Sequence, residues 1–244
     1  MTLTSFRKCQ TAALFIFLFG HAASAQVKFG VKTGLTFAEM LAAKSQTANI
    51  SNITMNMINF PRTNIHAGVY FDIPLYKQLH LQPEALYNNQ GSNSVPRYSY
   101  TVGATETYKF NYVNFPLLLK WQFPYHAYIA TGPQFGLLLD AKIEQGSQAT
   151  NKTYHVKDQY KSNDFGWVWG IGYLSPINLG IDIRYNLGFT DINKATAASA
   201  ATIPVQNGRV RNSGLQLGIF FQFGKNRMRT APPAPGNDNG PFLK

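Results

Sequence analysis

Cysteine is nearly absent from this sequence, which contains a single cysteine, Cys9, in 244 residues. Long apolar runs are absent as well, since no stretch of about 18 apolar residues occurs after residue 25. The first absence excludes a disulfide framework and zinc sites built from cysteines. The second excludes transmembrane helices. There is also no metal-ligand spacing and no phosphate-binding glycine loop, so we expect no metal and no cofactor.

Residues 1–25 have the pattern of a secretory signal peptide. Basic residues precede an apolar run at 12–19, and the small residues Ala-Ser-Ala at 23–25 form a cleavage site. We therefore expect a mature chain that begins at Gln26 and, because Cys9 is removed, has no cysteine. The alternative is an N-terminal membrane anchor, for which the apolar run is short.

Acidic residues are scarce: 11 Asp and Glu stand against 22 Lys and Arg, a formal net charge of +11. Removal of Arg7 and Lys8 leaves +9. The cations are scattered among loops, strands and tail, without a basic helix or an arginine-rich block, so we expect no nucleic acid partner. The charge fits an exported protein at an anionic membrane surface.

Period-two alternation of large apolar residues with glycine and polar residues runs through the rest of the chain, most clearly at 165–189. Such alternation indicates β-strands, because successive side chains point to opposite faces. We predict eight strands, at 27–37, 64–75, 79–87, 108–121, 127–139, 165–173, 179–189 and 213–223. We predict long loops at 38–63, 88–107, 140–163 and 190–212.

The large-apolar face of these strands carries no charged residue, whereas the opposite face carries ions and many glycines. A soluble barrel with the apolar face inside could not hold so much aromatic volume within eight strands. We therefore predict an all-β fold over residues 26–224, an eight-stranded antiparallel up-and-down transmembrane β-barrel in the outer membrane. Long connections after the odd strands and short turns after the even ones place the N-terminus in the periplasm.

Six ions are expected to point into the barrel and form an interior polar network: Lys32, Asp72, Glu84, Lys120, Asp182 and Arg184. Buried charges are costly unless they are paired. We expect Lys32 to pair with Asp72 at similar height in adjacent strands, and the other four ions to form a second cluster. Four bulky side chains are also expected inside and are expected to fill the space beside the glycines: Tyr70, Leu86, Leu118 and Phe220. The network and these side chains predict a barrel without a wide open pore.

A lipid-modifying hydrolase would need serine, histidine and carboxylate side chains together. His66, His80 and Glu84 all point inward, but no inward serine stands beside them. We therefore predict no catalytic residues and no enzymatic activity.

Prolines and the C-terminal segment depart from a simple barrel. Pro74, Pro83, Pro116 and Pro133 lie inside or at the ends of predicted strands, where they lack a ladder donor, so we expect bulges or frayed ends there. Residues 225–244 are proline-rich and basic, which predicts a disordered periplasmic tail or a tether to a partner.

Several segments along the predicted strands carry a family resemblance: 29–34 (FGVKTG), 114–121 (NFPLLLKW), 131–136 (TGPQFG), 170–173 (GIGY), 179–189 and 220–223 (FFQF). Together they resemble the PorT-like outer-membrane β-barrel family (outer membrane protein beta-barrel domain) of Gram-negative bacteria. The resemblance covers about residues 26–224 and implies the barrel and its membrane. One branch of the family is associated with protein secretion across the outer membrane.

Three functions remain open on the sequence alone. The first is a non-enzymatic, monomeric barrel that contacts outer-membrane lipid and binds an envelope protein through its loops or tail, with a role in an envelope or secretion assembly. The second is a small-solute channel, and the third is a lipid-modifying enzyme.

Overall fold

The structure is a computed structural model that describes residues 27–42, 46–50, 53–96, 105–147, 150–194 and 209–224. The expected signal peptide at 1–25 and the tail at 225–244 lie outside these residues and stay predictions. The described chain contains eleven strands: β1 (Lys28–Ala42), β2 (Gln46–Ile50), β3 (Ile53–Tyr76), β4 (Leu79–Gln90), β5 (Ser92–Pro96), β6 (Thr105–Gln122), β7 (Ala127–Ser147), β8 (Thr150–His155), β9 (Asn163–Leu174), β10 (Leu179–Gly188) and β11 (Val210–Phe223).

Eight of these strands close into one antiparallel barrel. Going round the wall, the order is β1, β3, β4, β6, β7, β9, β10 and β11, and β11 pairs back with β1. The short β2 and β8 each add to one wall strand, β3 and β7 respectively. The predicted fold class is therefore confirmed.

One end of the barrel carries only tight connections within the described chain and is called here the short-turn end. Its turns follow β3, β6 and β9, and they contain every non-glycine residue with positive φ that the structure describes: Lys77, Tyr125, His126 and Asn178. The opposite, long-loop end holds the connections after β1, β4, β7 and β10. The predicted asymmetry between the two ends is thus present.

The strands are longer at the long-loop end than the sequence predicts. The segment 38–63, predicted as a loop, contains the end of β1, all of β2 and the start of β3. The predicted loops at 88–107 and 140–163 likewise contain β5 and β8, and β5 follows β4 after Gly91, whose φ of +129° favours glycine. These loop predictions were wrong because strands beyond the hydrocarbon layer lose the one-sided alternation that identifies them.

The outer face of the wall is apolar and exposed over its middle part. On β10 the outward Ile183 is 47% exposed while its neighbour Arg184 is 2% exposed, so parity separates the two faces completely there. Two polar side chains on this outer face are partnered: Trp167 Nε1 donates to Thr131 Oγ1 (2.7 Å), and Thr131 Oγ1 donates to the carbonyl of Val168 (3.0 Å). Such a face fits hydrocarbon rather than water. In the described segments no helix is long and apolar enough to cross a membrane.

The prolines lie beside interruptions of the ladders. The register between β3 and β4 shifts next to Pro74. The β4–β6 ladder passes from the pair Pro83–Leu117 to the pair Leu86–Asn114, and the β6–β7 ladder is interrupted beside Pro116. Since proline has no backbone N–H, it is tolerated where the ladder is irregular, as expected from the sequence.

Candidate functional site

The barrel interior holds all six predicted ions, and each is at most 5% exposed. Four of them form one group, called here the Arg184 cluster: Lys32, Glu84, Asp182 and Arg184. Arg184 Nη1 and Nη2 donate to the two carboxylate oxygens of Glu84, at 2.6 and 2.8 Å, and Arg184 Nε donates to Asp182 Oδ2 at 2.9 Å. Lys32 Nζ donates to the same oxygen of Asp182. Two positive and two negative side chains therefore neutralise one another.

The other two ions form a second group with a histidine, called here the Asp72 cluster. Lys120 Nζ donates a hydrogen bond to one carboxylate oxygen of Asp72, and His80 Nδ1 contacts the other oxygen. The Lys120 ammonium also lies 4.9 Å from the centroid of the Tyr128 ring, within the range of a cation–π contact. This cluster lies nearer the short-turn end than the Arg184 cluster.

The predicted pairing was wrong in one respect and correct in another. Lys32 does not pair with Asp72, because the register sets Asp72 opposite Lys28 and Lys32 opposite Gly68. Lys32 bonds Asp182 instead, and Lys120 joins Asp72 rather than the second cluster. Glu84, Asp182 and Arg184, three of the four ions expected in the second cluster, do lie together, with Arg184 paired to both carboxylates. Pairing offsets the cost of removing these charges from water.

Three aromatic rings fill the space that glycines leave on neighbouring strands. Tyr70 lies over Gly30, Tyr128 over Gly172 and Phe220 over Gly180, each where a Cβ would otherwise stand. The Phe220 ring also contacts the other two rings edge-on or nearly so, with centroids 5.8 Å from Tyr70 and 6.2 Å from Tyr128. Together with Leu118, Val168 and Leu174 they form a buried cluster, called here the aromatic layer.

Above the Arg184 cluster, toward the long-loop end, the interior is lined by polar side chains, which include the carboxyl group of Asp164. Thr36 Oγ1 lies 3.0 Å from His66 Nδ1 and donates to Asn88 Oδ1 at 3.1 Å. Beside this polar layer is a small enclosed cavity of about 20 Å³, which is room for about one water molecule. Thr36 and Asn186 are among its lining residues.

A buried apolar cluster fills the barrel mouth at the long-loop end. This apolar cap comprises Met40, Tyr108, Phe110, Tyr112, Leu138, Ala141, Ile143, Val156, Tyr160, Ile192 and Val210. Phe110 and Tyr160 meet edge to face with ring centroids 4.7 Å apart. Sequence reasoning missed the cap because several members stand alone in segments predicted as loops. Extending the alternation of inward-facing residues along β6 and β7 toward the long-loop end would have identified part of the cap.

The histidines considered for catalysis have structural partners. His66 bonds Thr36, and His80 bonds Asp72 rather than the nearby Glu84. Glu84 is engaged by Arg184 and by Gln82 Nε2 at 2.6 Å. In the part of the chain that the structure describes, no group of three or more His, Cys, Asp or Glu side chains is placed to hold a metal ion.

A closed eight-stranded barrel with an apolar outer face and a charged, paired interior defines a membrane-spanning β-barrel protein. The model of the outer membrane protein beta-barrel domain family matches residues 19–194, more than half of the chain. The chain belongs to this family and is a protein of the cell outer membrane, where its outer face contacts lipid. In outer-membrane barrels the short turns face the periplasm, so we expect the short-turn end to be the periplasmic end.

Solved structures with a similar fold are outer-membrane proteins of low sequence identity. Neisserial surface protein A is 13% identical, with 81% of this chain and 99% of that chain covered and a TM-score of 0.45. Ail of Yersinia pestis, in complex with the heparin analogue sucrose octasulfate, is 9% identical over 81% and 99% of the chains, with a TM-score of 0.43. OprG of Pseudomonas aeruginosa is 11% identical over 82% and 97%, with a TM-score of 0.42. A search of curated proteins found no match.

Proposed function

We propose that this protein is a non-enzymatic outer-membrane barrel that conducts no solute and acts by binding an envelope partner through its long-loop end. The observation that carries the proposal is the filling of the lumen in consecutive layers. On β1 alone, Lys32 belongs to the Arg184 cluster, Thr36 to the polar layer and Met40 to the apolar cap. A solute would have to pass all of them, so a function at the surface is favoured over one in the lumen.

Among the described residues, part of the surface at the long-loop end is built from regular paired strands. The band of exposed apolar side chains around the outer face is called here the apolar belt. β6 and β7 continue beyond it as paired strands, and β8 adds to the edge of β7 through pairs such as Glu144–Thr153. The apolar cap supports this extension from inside. A pre-ordered surface loses little conformational entropy on binding, which suits a recognition role. The tail at 225–244 is the alternative binding element.

Site-specific photo-crosslinking in intact cells tests partner binding. We expect a photoreactive residue at exposed Lys152, on β8, to yield a discrete adduct, and one at exposed Ile177, at the periplasmic end, to yield none. Shortening the β7–β8 hairpin by removal of residues 145–152, with the probe moved to Thr153, is expected to abolish the adduct. Absence of any adduct from positions on β8 and its neighbours would contradict the proposal.

A small-solute channel is the second candidate, and the polar layer with its cavity is the observation that favours it. Conduction would require both the Arg184 cluster and the apolar cap to open. A lipid-modifying enzyme is favoured by the contact of His80 with Asp72, but this pair faces Lys120 rather than a nucleophile. Membership of the PorT-like family is supported by the segments at 114–121 and 131–136 and is also part of the proposal.

A further inference from the structure

We propose that a cleft on the outer face of the barrel, at the upper edge of the apolar belt, binds the phosphate-bearing headgroup of an outer-leaflet lipid. The cleft has a volume of about 460 Å³ and is open to the outside. It is lined by two aromatic, two basic and two hydroxyl-bearing side chains, among others: Phe135, Phe165, Lys161, Lys194, Ser162 and Thr190. This site is independent of the partner-binding surface proposed above.

The two phenylalanines place the cleft at the boundary of the hydrocarbon layer. Phe135 on β7 and Phe165 on β9 are register partners, and both are more than 40% exposed on the lipid face. The Phe165 ring also lies beside that of Phe189, with centroids 6.3 Å apart. These rings are therefore placed to contact the upper part of an acyl chain.

The two lysines continue the same outward face just above the rings. An isolated bridge between Tyr160 and Asn193 sets their segments side by side, with the amide N–H of Lys161 donating to the carbonyl of Ile192 at 2.7 Å. Tyr160 is buried in the cap, whereas Lys161 and Lys194 are exposed. In a bilayer the headgroup phosphates lie directly above the acyl chains, so lysines just above the exposed rings are placed to meet them.

Ion pairing distinguishes the two lysines of the cleft from Lys109 and Lys142. Lys109 pairs with Glu144, and Lys142 pairs with Asp140 at 3.1 Å. Neither Lys161 nor Lys194 is in an ion pair with any residue that the structure describes. Lys194 Nζ donates to a backbone carbonyl, that of Asp158, at 3.0 Å.

One carboxylate, that of Asp164, also borders the cleft. Its Oδ2 accepts a hydrogen bond from Asn212 Nδ2 at 2.8 Å, on the interior side of the wall. The cations therefore dominate the outward side of the cleft. Two adjacent lysines above two exposed aromatic rings match an anionic headgroup attached to an acyl chain, and a soluble anion would use only the lysines.

Native mass spectrometry of the purified protein in neutral detergent, titrated with bis-phosphorylated lipid A, tests the proposal. We expect Lys161→Gln and Lys194→Gln each to raise the apparent dissociation constant about fivefold, and the double variant to raise it more than either. The matched control is Lys109→Gln, which alters a paired lysine and is expected to leave the constant unchanged. Because the substituted lysines are exposed, the variants are expected to keep the heat-modifiable migration of a folded barrel.

Two results would overturn the proposal. One is unchanged lipid A binding by the folded double variant. The other is competition by inorganic phosphate at concentrations similar to those of lipid A, which would indicate a site for a free anion and not for a lipid. Weaker binding of monophosphorylated lipid A than of the bis-phosphorylated form would support it.

Discussion

Arg184 and Glu84 are 100 residues apart in sequence and form a two-point ion pair across the full width of the barrel. Their strands, β10 and β4, are four positions apart in the ring of eight and therefore face each other from opposite walls. Lys32 and Asp182, by contrast, come from β1 and β10, which are separated only by β11. The Arg184–Glu84 pair thus crosses the lumen and connects opposite walls.

Removal of one partner of this pair is expected to destabilise the barrel. Glu84→Gln leaves Arg184 and Lys32 to share the single carboxylate of Asp182, so the buried cluster keeps one uncompensated positive charge. We expect this to cost about 3–5 kcal/mol in the free energy of unfolding. The measurement is a urea titration of the protein refolded into lipid vesicles. The matched control is Glu144→Gln, which breaks the half-exposed pair with Lys109 and is expected to cost less than about 1 kcal/mol.

The double variant Glu84→Leu with Arg184→Met separates pairing from packing. Replacement of both charges by apolar side chains leaves no unpaired ion of this pair, so we expect it to be more stable than Glu84→Gln. If the double variant were less stable than both Glu84→Leu alone and Arg184→Met alone, the account of the cluster as mutually neutralising charges would be contradicted.

The depth of a residue on the lipid face is expected to set the cost of a charge there. Leu217 lies mid-strand on β11 opposite Ile183, and Leu217→Arg is expected to cost about 2–4 kcal/mol in a bilayer. Leu139 lies on β7 beside Asp140, toward the long-loop end, and Leu139→Arg is expected to cost about 0–1 kcal/mol. Unfolding titrations in the same lipid compare the two, and equal costs would mean that the membrane boundary is misplaced.

The contact of Phe220 with Gly180 is expected to be intolerant of a methyl group. The ring occupies the position of the missing Cβ, so Gly180→Ala is expected to cost about 1–3 kcal/mol through overpacking. Gly214→Ala is the comparison: its added carbon would stand 3.1 Å from a carbonyl oxygen, a tight contact but longer than the 2.2 Å to the Phe220 ring at Gly180, so we expect a smaller cost. In a Phe220→Ala background the cost of Gly180→Ala is expected to fall, and a double-mutant cycle that shows no coupling would contradict the packing account.

Alternation identified the wall because lipid and lumen impose opposite demands on successive residues. Ile183 and Arg184 illustrate this, as one faces hydrocarbon and the other a closed interior. Parity also predicted which ions lie inside. Which ions pair depends also on the stagger between strands. Lys32 was paired wrongly because the position opposite Asp72 on β1 is Lys28, four residues away from Lys32.

The apolar cap could not be predicted in the same way. Ile192 and Val156 belong to segments outside the strands and join the cap through a turn and an isolated bridge. Beyond the membrane both faces of an extended strand can meet water, so alternation is lost and single apolar residues carry little information. The closure of the barrel mouth follows from tertiary packing that a local pattern does not encode.

The most direct test of the closed barrel is the current through the unmodified protein in a planar lipid bilayer. The Arg184 cluster, the aromatic layer and the apolar cap each fill the lumen, so we predict no steady current steps above the bare bilayer, with a known porin in the same lipid as the positive control. Large, steady single-channel currents that scale with the amount of folded protein would contradict this account and identify the barrel as a channel.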